Sequence, residues 1–355
     1  GLFFIFFPLF LYLITFIKFN KKLITKKIFQ SKNSISNNNI DYLCVILIIF
    51  SILEFYSLNY KNFLGTIDVH HEGTFLTAQL NFFSKNQIWT GTFYDYGFLG
   101  NSIGIFFNSL FDGYSIGIQR FLFKFLILLN KVLLILICRK IIISINSSNN
   151  KEILFLIFSL SSITLASFYE HVTPFHSRVF IYLMVTLLIF SIVTAKKNSF
   201  FKSFLTGFFS LLSILFYWDI GSYINVLLIV FLAYLLFTKS YGNFYSVVLG
   251  VLSTWILFFI LTPSYELKEF FNQFFVILNV SDYLIGIEFP KPFSEKSTRH
   301  TKALLLIIFS GVLLINYVFD KLKKESLESK FLLFFIFISS ILFLKSGLTR
   351  SDGPH

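Results

Sequence analysis

Apolar segments alternate with short polar connections along almost the whole chain. Each segment is nearly free of charge and is close to the roughly 20 residues that a helix needs to cross a bilayer. None shows the strict alternation over about ten residues that is typical of a membrane β-strand. The pattern predicts an all-α polytopic membrane protein with about ten transmembrane helices, at residues 2–17, 42–58, 121–137, 153–168, 179–194, 201–217, 223–237, 245–261, 303–318 and 331–344.

The composition agrees with this prediction. Of the 355 residues, 55% are hydrophobic and 14% are charged, whereas about 25% are charged in soluble domains. The two cysteines, Cys44 and Cys138, lie inside apolar segments, so we expect small buried side chains and no disulfide framework. Because the chain begins at Gly1 and contains a single methionine, Met184, we expect residues 1–355 to be one transmembrane domain of a longer protein.

The connections between the segments fall into two sets that differ in charge. The positive-inside rule places the lysine-rich set in the cytoplasm, at residues 18–40, 139–151, 195–202, 238–244 and 319–330. This concentration of lysine explains the net charge of +12, so no nucleic-acid partner is expected. The other set is expected to face outward and contains all six histidines and most of the acidic residues, at residues 59–120, 169–178, 218–222, 262–302 and 345–355.

The first outward connection is too long to be a simple link between two spans. Leu76, Leu80 and Phe83 repeat at helical spacing. A second apolar repeat follows at Ile103, Phe106, Phe107 and Leu110. Neither segment is long enough to cross a bilayer, so both are predicted to be amphipathic helices in the outer interface, with Trp89 and Tyr94 as interfacial anchors. The second large outward connection is residues 262–302.

The densest group of polar side chains lies in this first outward connection, in the sequence Ile-Asp-Val-His-His-Glu-Gly that begins at Ile67. Asp68 and Glu72 are four residues apart, which places both carboxylates on one face of a helix or close together in a turn. One of two close carboxylates can serve as a general base while the other orients a substrate or binds a metal. His70 and His71 are adjacent and point in different directions, so a zinc site is not expected.

Arginine is distributed differently from lysine. Four of the five arginines are in outward connections: Arg120, Arg178, Arg299 and Arg350. Because the planar guanidinium binds phosphate or carboxylate with two parallel hydrogen bonds, this bias indicates a phosphorylated or acidic ligand on the outward side. Pairing of these arginines with lipid headgroups or with neighbouring glutamates is the alternative.

Three further polar groups are predicted on the outward side. Glu170, His176 and Arg178 flank Pro174 in a short connection. Asp219 interrupts two spans and must lie at or below the outer interface, where an acid is costly unless it faces a cavity or a partner. The third group suits recognition of a phosphate together with a sugar hydroxyl and consists of Arg350, Asp352 and His355.

Three charged residues fall near or inside the apolar segments. Glu54 lies near the outer end of the second segment, and Lys124 and Lys131 lie in the third. Glu54 and Lys124 are at similar depth and can form a pair, whereas no partner for Lys131 is predicted.

In their order along the chain, these motifs resemble those of the GT-C superfamily of integral-membrane glycosyltransferases. The similarity is to bacterial relatives of the protein mannosyltransferase and aminoarabinose transferase group, some of which carry an Asp-x-x-His-Glu-Gly motif, and it covers residues 42–355. It implies transfer of a sugar from a polyprenyl-phosphate donor to a periplasmic, lipid or glycan acceptor, with inversion at the anomeric carbon. The reaction would take place on the periplasmic face of a bacterial inner membrane.

The resemblance also implies roles for individual residues. Asp68 corresponds to the catalytic base and Glu72 would assist, although the assignment between these two stays open because Asp68 is not followed directly by a second acid. Arg178 and Arg350 are candidates for binding the phosphate of the donor. The other candidate substrate-binding residues are His71, Glu170, His176, Asp219, Asp352 and His355. Some members use a divalent cation such as Mg²⁺ or Mn²⁺ and others use none, so the metal stays open.

Two other functions are compatible with the sequence. In a secondary transporter, Asp219, Glu54 and Lys131 would form a coupling site within the membrane, but such proteins often show inverted repeats, and none is visible in this sequence. In a membrane acyltransferase, an outward histidine would need a partner acid, and His171 beside Glu170 is the best candidate.

Overall fold

The computed structural model describes residues 32–56, 71–85, 87–94, 97–100, 115–145, 151–167, 175–195, 198–284, 293, 298–319 and 326–348. Within these ranges the regular structure is helical and contains no strand, which confirms the all-α prediction. The helices described below are α1 (Lys32–Tyr56), α2 (His71–Lys85), α3 (Ile116–Ser144), α4 (Lys151–Ser167), α5 (Phe175–Val193), α6 (Phe200–Phe216), α7 (Trp218–Phe237), α8 (Tyr241–Leu261), α9 (Ser264–Leu284), α10 (Thr298–Phe319) and α11 (Leu327–Leu348).

Among the residues that the structure describes, four helices are long and apolar enough to cross a membrane. These helices are Asn38–Tyr56, Ile116–Ser144, Trp218–Phe237 and Tyr241–Leu261. Shorter apolar helices cover Val179–Val193, Phe200–Phe216 and Leu304–Asn316. The structure therefore supports a multi-pass membrane protein but does not confirm ten spans. Nine of the predicted segments coincide with helices, and the tenth, residues 2–17, lies outside the described residues.

Helix α7 is the centre of the largest apolar core. Its buried residues Ile224, Leu227 and Phe231 belong to the same cluster as Ile189 of α5 and Phe335 of α11. By contrast, the apolar side chains of α10 are largely exposed, including Leu306 at 64% and Phe309 at 61%. An apolar surface of this kind is what a lipid environment requires.

Helices α6 and α8 pack closely because small residues lie between them. A Cβ atom on Gly207 would come within 2.0 Å of the carbonyl oxygen of Val247, and one on Gly250 within 2.1 Å of the carbonyl oxygen of Phe204. The Thr254 hydroxyl donates a hydrogen bond across the interface to the carbonyl of Phe208 at 3.2 Å. In a bilayer, where helices are not driven together by the hydrophobic effect, such close backbone approach is a main source of helix association.

One end of the helix bundle is joined by polar contacts between the connections that are predicted to be cytoplasmic. Arg139 donates to Asp41 at 2.7 Å, and the Asn39 side chain donates to Glu152 at 3.1 Å. The Ser199 backbone N–H donates to the Asn243 side chain at 3.1 Å. These contacts join α1 to α3 and α4, and α6 to α8. Lys140 of α3 also interacts electrostatically with Lys202 of α6, so the two groups lie at the same end.

The close contact of α6 and α8 predicts that Gly250→Ala destabilises the protein. Its new methyl group would meet backbone atoms that cannot rotate away, so the two helices must separate, at a cost of about 1–3 kcal/mol. The measurement is the melting temperature of the purified protein in detergent.

Gly73→Ala is the matched control, because a Cβ atom at that position meets nothing within 4 Å. Alanine in place of glycine favours a helix by about 0.5–1 kcal/mol, so this variant should melt at or slightly above the wild-type temperature. If Gly250→Ala melts at the wild-type temperature, as Gly73→Ala is expected to do, then α6 and α8 do not approach each other as closely as described.

Candidate functional site

A buried ion pair fixes the short helix α2 to the beginning of α3. Arg120 Nε lies 2.5 Å from Glu72 Oε1, and Arg120 Nη2 lies 2.9 Å from Glu72 Oε2. The Glu72 and Arg120 side chains are only 1% and 6% exposed. Two turns further along α2, the Gln79 amide donates to the Gln119 side chain at 3.0 Å. The face of α2 that packs on α3 is therefore polar, whereas Leu80 is 51% exposed.

Two kinds of partner were expected for Arg120: a phosphorylated or acidic ligand, or a neighbouring glutamate. The two parallel hydrogen bonds between Glu72 and Arg120 decide between them. At Arg120, the alternative of pairing with a neighbouring glutamate is correct. Both Glu72 oxygens accept hydrogen bonds from the guanidinium, so the carboxylate is held on both sides by Arg120. The pair gives Glu72 a structural role, because it anchors α2 to α3. Asp68 itself lies outside the described residues.

A second set of hydrogen bonds joins residues 89–94 to α9. Glu266 Oε2 accepts the backbone N–H groups of Trp89 at 2.7 Å and Thr90 at 3.1 Å. Gln273 accepts the N–H of Tyr94 at 3.3 Å and donates to the carbonyls of Trp89 and Thr92 at 3.0 and 2.8 Å. Two side chains on one face of α9 thus satisfy much of the backbone of residues 89–94, which forms neither helix nor strand.

The prediction that Trp89 and Tyr94 are interfacial anchors is wrong. Trp89 is 2% exposed and Tyr94 is fully buried, and both lie inside the protein. The Trp89 ring is 5.1 Å from the ring of Phe270 and 5.8 Å from that of Phe258. Trp218 Nε1 donates to the Tyr94 carbonyl at 2.8 Å. The surroundings that bury these two residues are formed by side chains of α7, α8 and α9.

Asp219 lies in the first turn of α7, directly after Trp218. Its Oδ1 accepts the backbone N–H of Ile220 at 2.8 Å, and its carboxylate is half-buried. An acid at this position interacts favourably with the positive end of the helix dipole. Through Trp218 and Tyr94, Asp219 belongs to the same end of the protein as α2 and α9.

Three predicted site residues begin helices but have side chains outside the described part of the chain. His71 begins α2, and His176 and Arg178 are in the first turn of α5. The short outward connection predicted to end at residue 178 therefore gives way to a helix that begins at Phe175. Outside the described residues are Glu170, His171, Arg350, Asp352, His355 and the apolar repeat at residues 103–110. Within the described residues, no three His, Cys, Asp or Glu side chains are grouped to hold a metal ion.

The prediction that Lys131 has no partner is wrong. Its Nζ donates to both oxygens of Glu54, each at 2.9 Å. The Lys131 side chain is 5% exposed and the Glu54 side chain is 38% exposed. The contact of Lys131 with Glu54 depends on the tilt and register of α1 against α3, which the sequence does not reveal.

Glu266 and Gln273 were not singled out by the sequence. They are seven residues apart on a helix rich in phenylalanine, and this spacing places them on one face. That spacing was the available signal, but it could not identify residues 89–94 as the partner.

None of the protein-family models, curated proteins or solved structures compared with the chain matches it. The likeness to GT-C glycosyltransferases therefore rests on the order of short motifs.

The buried Glu72–Arg120 pair predicts that Glu72→Gln strongly destabilises the protein. Removing one charge leaves the other buried without compensation, at a cost of about 3–5 kcal/mol. The double variant Glu72→Met with Arg120→Met removes both charges and should recover most of that loss. Melting temperatures in detergent test this, with Glu328→Gln as the control because Glu328 is an exposed glutamate. A double variant that melts below Glu72→Gln would contradict the account.

The contacts of Gln273 predict that Gln273→Leu loosens residues 89–94. The Tyr94 N–H loses its acceptor and two carbonyls lose their donor. Because hydrogen exchange accelerates about tenfold for each 1.4 kcal/mol, the amides of this segment should exchange at least about tenfold faster. Peptide-level hydrogen exchange measures the rate. Asn272→Leu introduces the same side chain at an exposed neighbouring position and should leave the rate unchanged; equal acceleration in both variants would rule out a specific role for Gln273.

Proposed function

We propose that the chain is an inverting membrane glycosyltransferase that moves a sugar from a polyprenyl-phosphate donor to a lipid or glycan acceptor. In this proposal the active site is on the periplasmic face of a bacterial inner membrane. The observation that carries the proposal is the buried Glu72–Arg120 pair, because it fixes the helix that begins three residues after Asp68. Motif order along the sequence supports the reaction class.

Catalysis by a general base requires that the carboxylate stay within hydrogen-bonding distance of the acceptor hydroxyl. Three residues span at most about 10 Å, so Asp68 is close to the start of α2. The ion pair at Glu72 and the hydrogen bond at Gln79 prevent α2 from rotating on α3. A base close to the start of such an anchored helix can occupy only a limited range of positions. A base in the middle of an unanchored loop is not restricted in this way.

The proposed reaction has a simple balance of bonds and protons. Asp68 accepts the proton of the acceptor hydroxyl, and the acceptor oxygen forms a bond to the anomeric carbon on the face opposite the phosphate. The bond between the anomeric carbon and the phosphate oxygen breaks, and its electron pair leaves with the polyprenyl phosphate. Arg178 and Arg350 are proposed to stabilise the negative charge of this phosphate. No step in this scheme requires a metal ion.

The convergence of the outward connections supports the same proposal. Residues 89–94, the start of α7 and α9 lie far apart in the sequence and are joined by buried hydrogen bonds at one end of the protein. Asp219 lies at this end. A site assembled from several outward connections needs such a rigid base, because its polar residues come from separate parts of the chain.

A second candidate function is secondary transport, and the Glu54–Lys131 pair favours it. Both residues belong to helices that are long and apolar enough to span a membrane, and charged residues inside such helices often mark a pathway for an ion or substrate. Asp219 lies in the first turn of α7, at the end of that helix and not in its middle. A coupling site inside the membrane would therefore centre on Glu54 and Lys131.

The proposed base predicts that Asp68→Asn abolishes sugar transfer. Loss of a general base lowers the rate by about 10²- to 10⁴-fold. Transfer of radiolabelled sugar from a panel of polyprenyl-phosphate donors to extracted lipid and glycan acceptors measures the rate, using the purified full-length protein. Asp41→Asn is the matched control, because it makes the same chemical change at the opposite end of the helices, where Asp41 pairs with Arg139.

Transfer that persists in Asp68→Asn would exclude Asp68 as the base. If the wild-type protein consumes no donor, the glycosyltransferase proposal fails. Uptake of labelled solutes into proteoliposomes then tests the transporter, with Glu54→Gln as the variant that should lose uptake.

A further inference from the structure

Two lysines from separate helices converge at the end of the bundle that is predicted to be cytoplasmic. Lys140 lies in the last turns of α3, and Lys202 lies in the first turn of α6. Helix α5 packs against both α3 and α6. At its end, the hydroxyl of Thr194 accepts a hydrogen bond from Lys140 Nζ at 3.4 Å, and the short connection that follows leads directly to α6. The two lysines are therefore close enough to interact electrostatically.

Among the described residues, neither of these lysines is paired with an acid. The charged neighbours of Lys140 are Arg139 and Lys202, and both are positive. The nearby acid Asp41 is already bound to Arg139 at 2.7 Å. Like charges that lie close together repel each other, and this repulsion is relieved when an anion binds between them.

The start of α6 adds to the positive character of this place. Its N-cap residue, Ser199, makes no capping hydrogen bond from its side chain to the described backbone. The first N–H groups of α6 therefore keep the partial positive charge of a helix N-terminus, which a lysine in the first turn does not offset. The sequence between α5 and α6 contains Lys196 and Lys197 and no acid. Such a combination of charges suits an anionic ligand.

The anion at this place is expected to belong to a lipid. Helix α3 has 29 residues and is about 43 Å long, whereas the hydrocarbon is about 30 Å thick. This surplus length and the charged Arg139 place the last turns of α3, with Lys140, at the level of the headgroups. Lys202 is exposed, and the neighbouring Phe200 and Phe201 are 62% and 71% exposed. Basic groups beside an apolar surface suit a phosphate that carries acyl chains.

We propose that Lys140 and Lys202 bind the phosphate of an anionic glycerophospholipid of the cytoplasmic leaflet. The phosphate lies between the two ammonium groups, near the start of α6, and the acyl chains lie along the exposed phenylalanines of that helix. A lipid bound in this way links α3 to α6. The site is at the opposite end from the proposed catalytic residues and does not depend on the proposed reaction.

The test compares the purified full-length protein in two kinds of nanodisc, one of phosphatidylcholine alone and one of phosphatidylcholine mixed equally with phosphatidylglycerol. The melting temperature is followed by tryptophan fluorescence. Binding of an anionic lipid to the folded state should raise the melting temperature by about 3 °C or more in the mixed discs. Lys140→Gln and Lys202→Gln should each lose most of this rise, whereas Lys202→Arg, which keeps the charge, should retain it.

Two controls separate this site from general attraction to a negative surface. Lys151→Gln removes a lysine at the same end of the bundle, next to Glu152 in α4, and should keep the full rise. Inorganic phosphate added to phosphatidylcholine discs should give no rise. Because Lys202 is exposed, Lys202→Gln is expected to fold, and in phosphatidylcholine alone it should melt at or above the wild-type temperature, since it removes the repulsion.

Four results would overturn the proposal. The wild type could melt at the same temperature in both kinds of disc, or Lys202→Gln could keep the full rise. Lys151→Gln could lose as much of the rise as Lys202→Gln, which would indicate attraction to the surface as a whole. Inorganic phosphate could reproduce the rise, which would indicate a soluble anion and not a lipid.

Discussion

The hydrogen-bonded pair of Glu72 and Arg120 determines how helix α2 meets the helix bundle. Burying two charges is unfavourable unless their geometry is close to ideal, and here both carboxylate oxygens receive a guanidinium hydrogen bond. The pair therefore specifies one position of α2 on α3. With Gln79 and Gln119, it makes this interface polar in a protein whose other helix contacts are mostly apolar.

Residues 89–94 obey a related constraint. A backbone without helix or strand cannot be buried near a membrane unless its N–H and carbonyl groups have partners. Glu266 and Gln273 of α9 supply these partners, and Trp218 adds another. The aromatic side chains of the segment can then pack inward against α8 and α9. Polar and apolar contacts thus cooperate at the end where the proposed site lies.

The sequence predicted the features that depend on local periodicity. Helix α2 was expected from Leu76, Leu80 and Phe83, and it forms between His71 and Lys85. The partners of charged and aromatic residues were harder to predict, because they depend on how helices cross. Lys131 finds Glu54 through the register of α1 on α3, and Trp89 is buried by residues about 170 to 180 positions later. For Arg120, the sequence left two alternatives, and only the three-dimensional arrangement could decide between them.

The link between residues 89–94 and α9 has a consequence for biosynthesis. The N–H of Trp89 and its acceptor Glu266 are separated by 177 residues. At a synthesis rate of about 5–20 residues per second, Glu266 is made roughly 10 to 35 s after Trp89. During this interval the backbone groups that later bind Glu266 and Gln273 lack these partners. Residues 89–94 therefore acquire these partners late, after helices α3 to α8 have been synthesised.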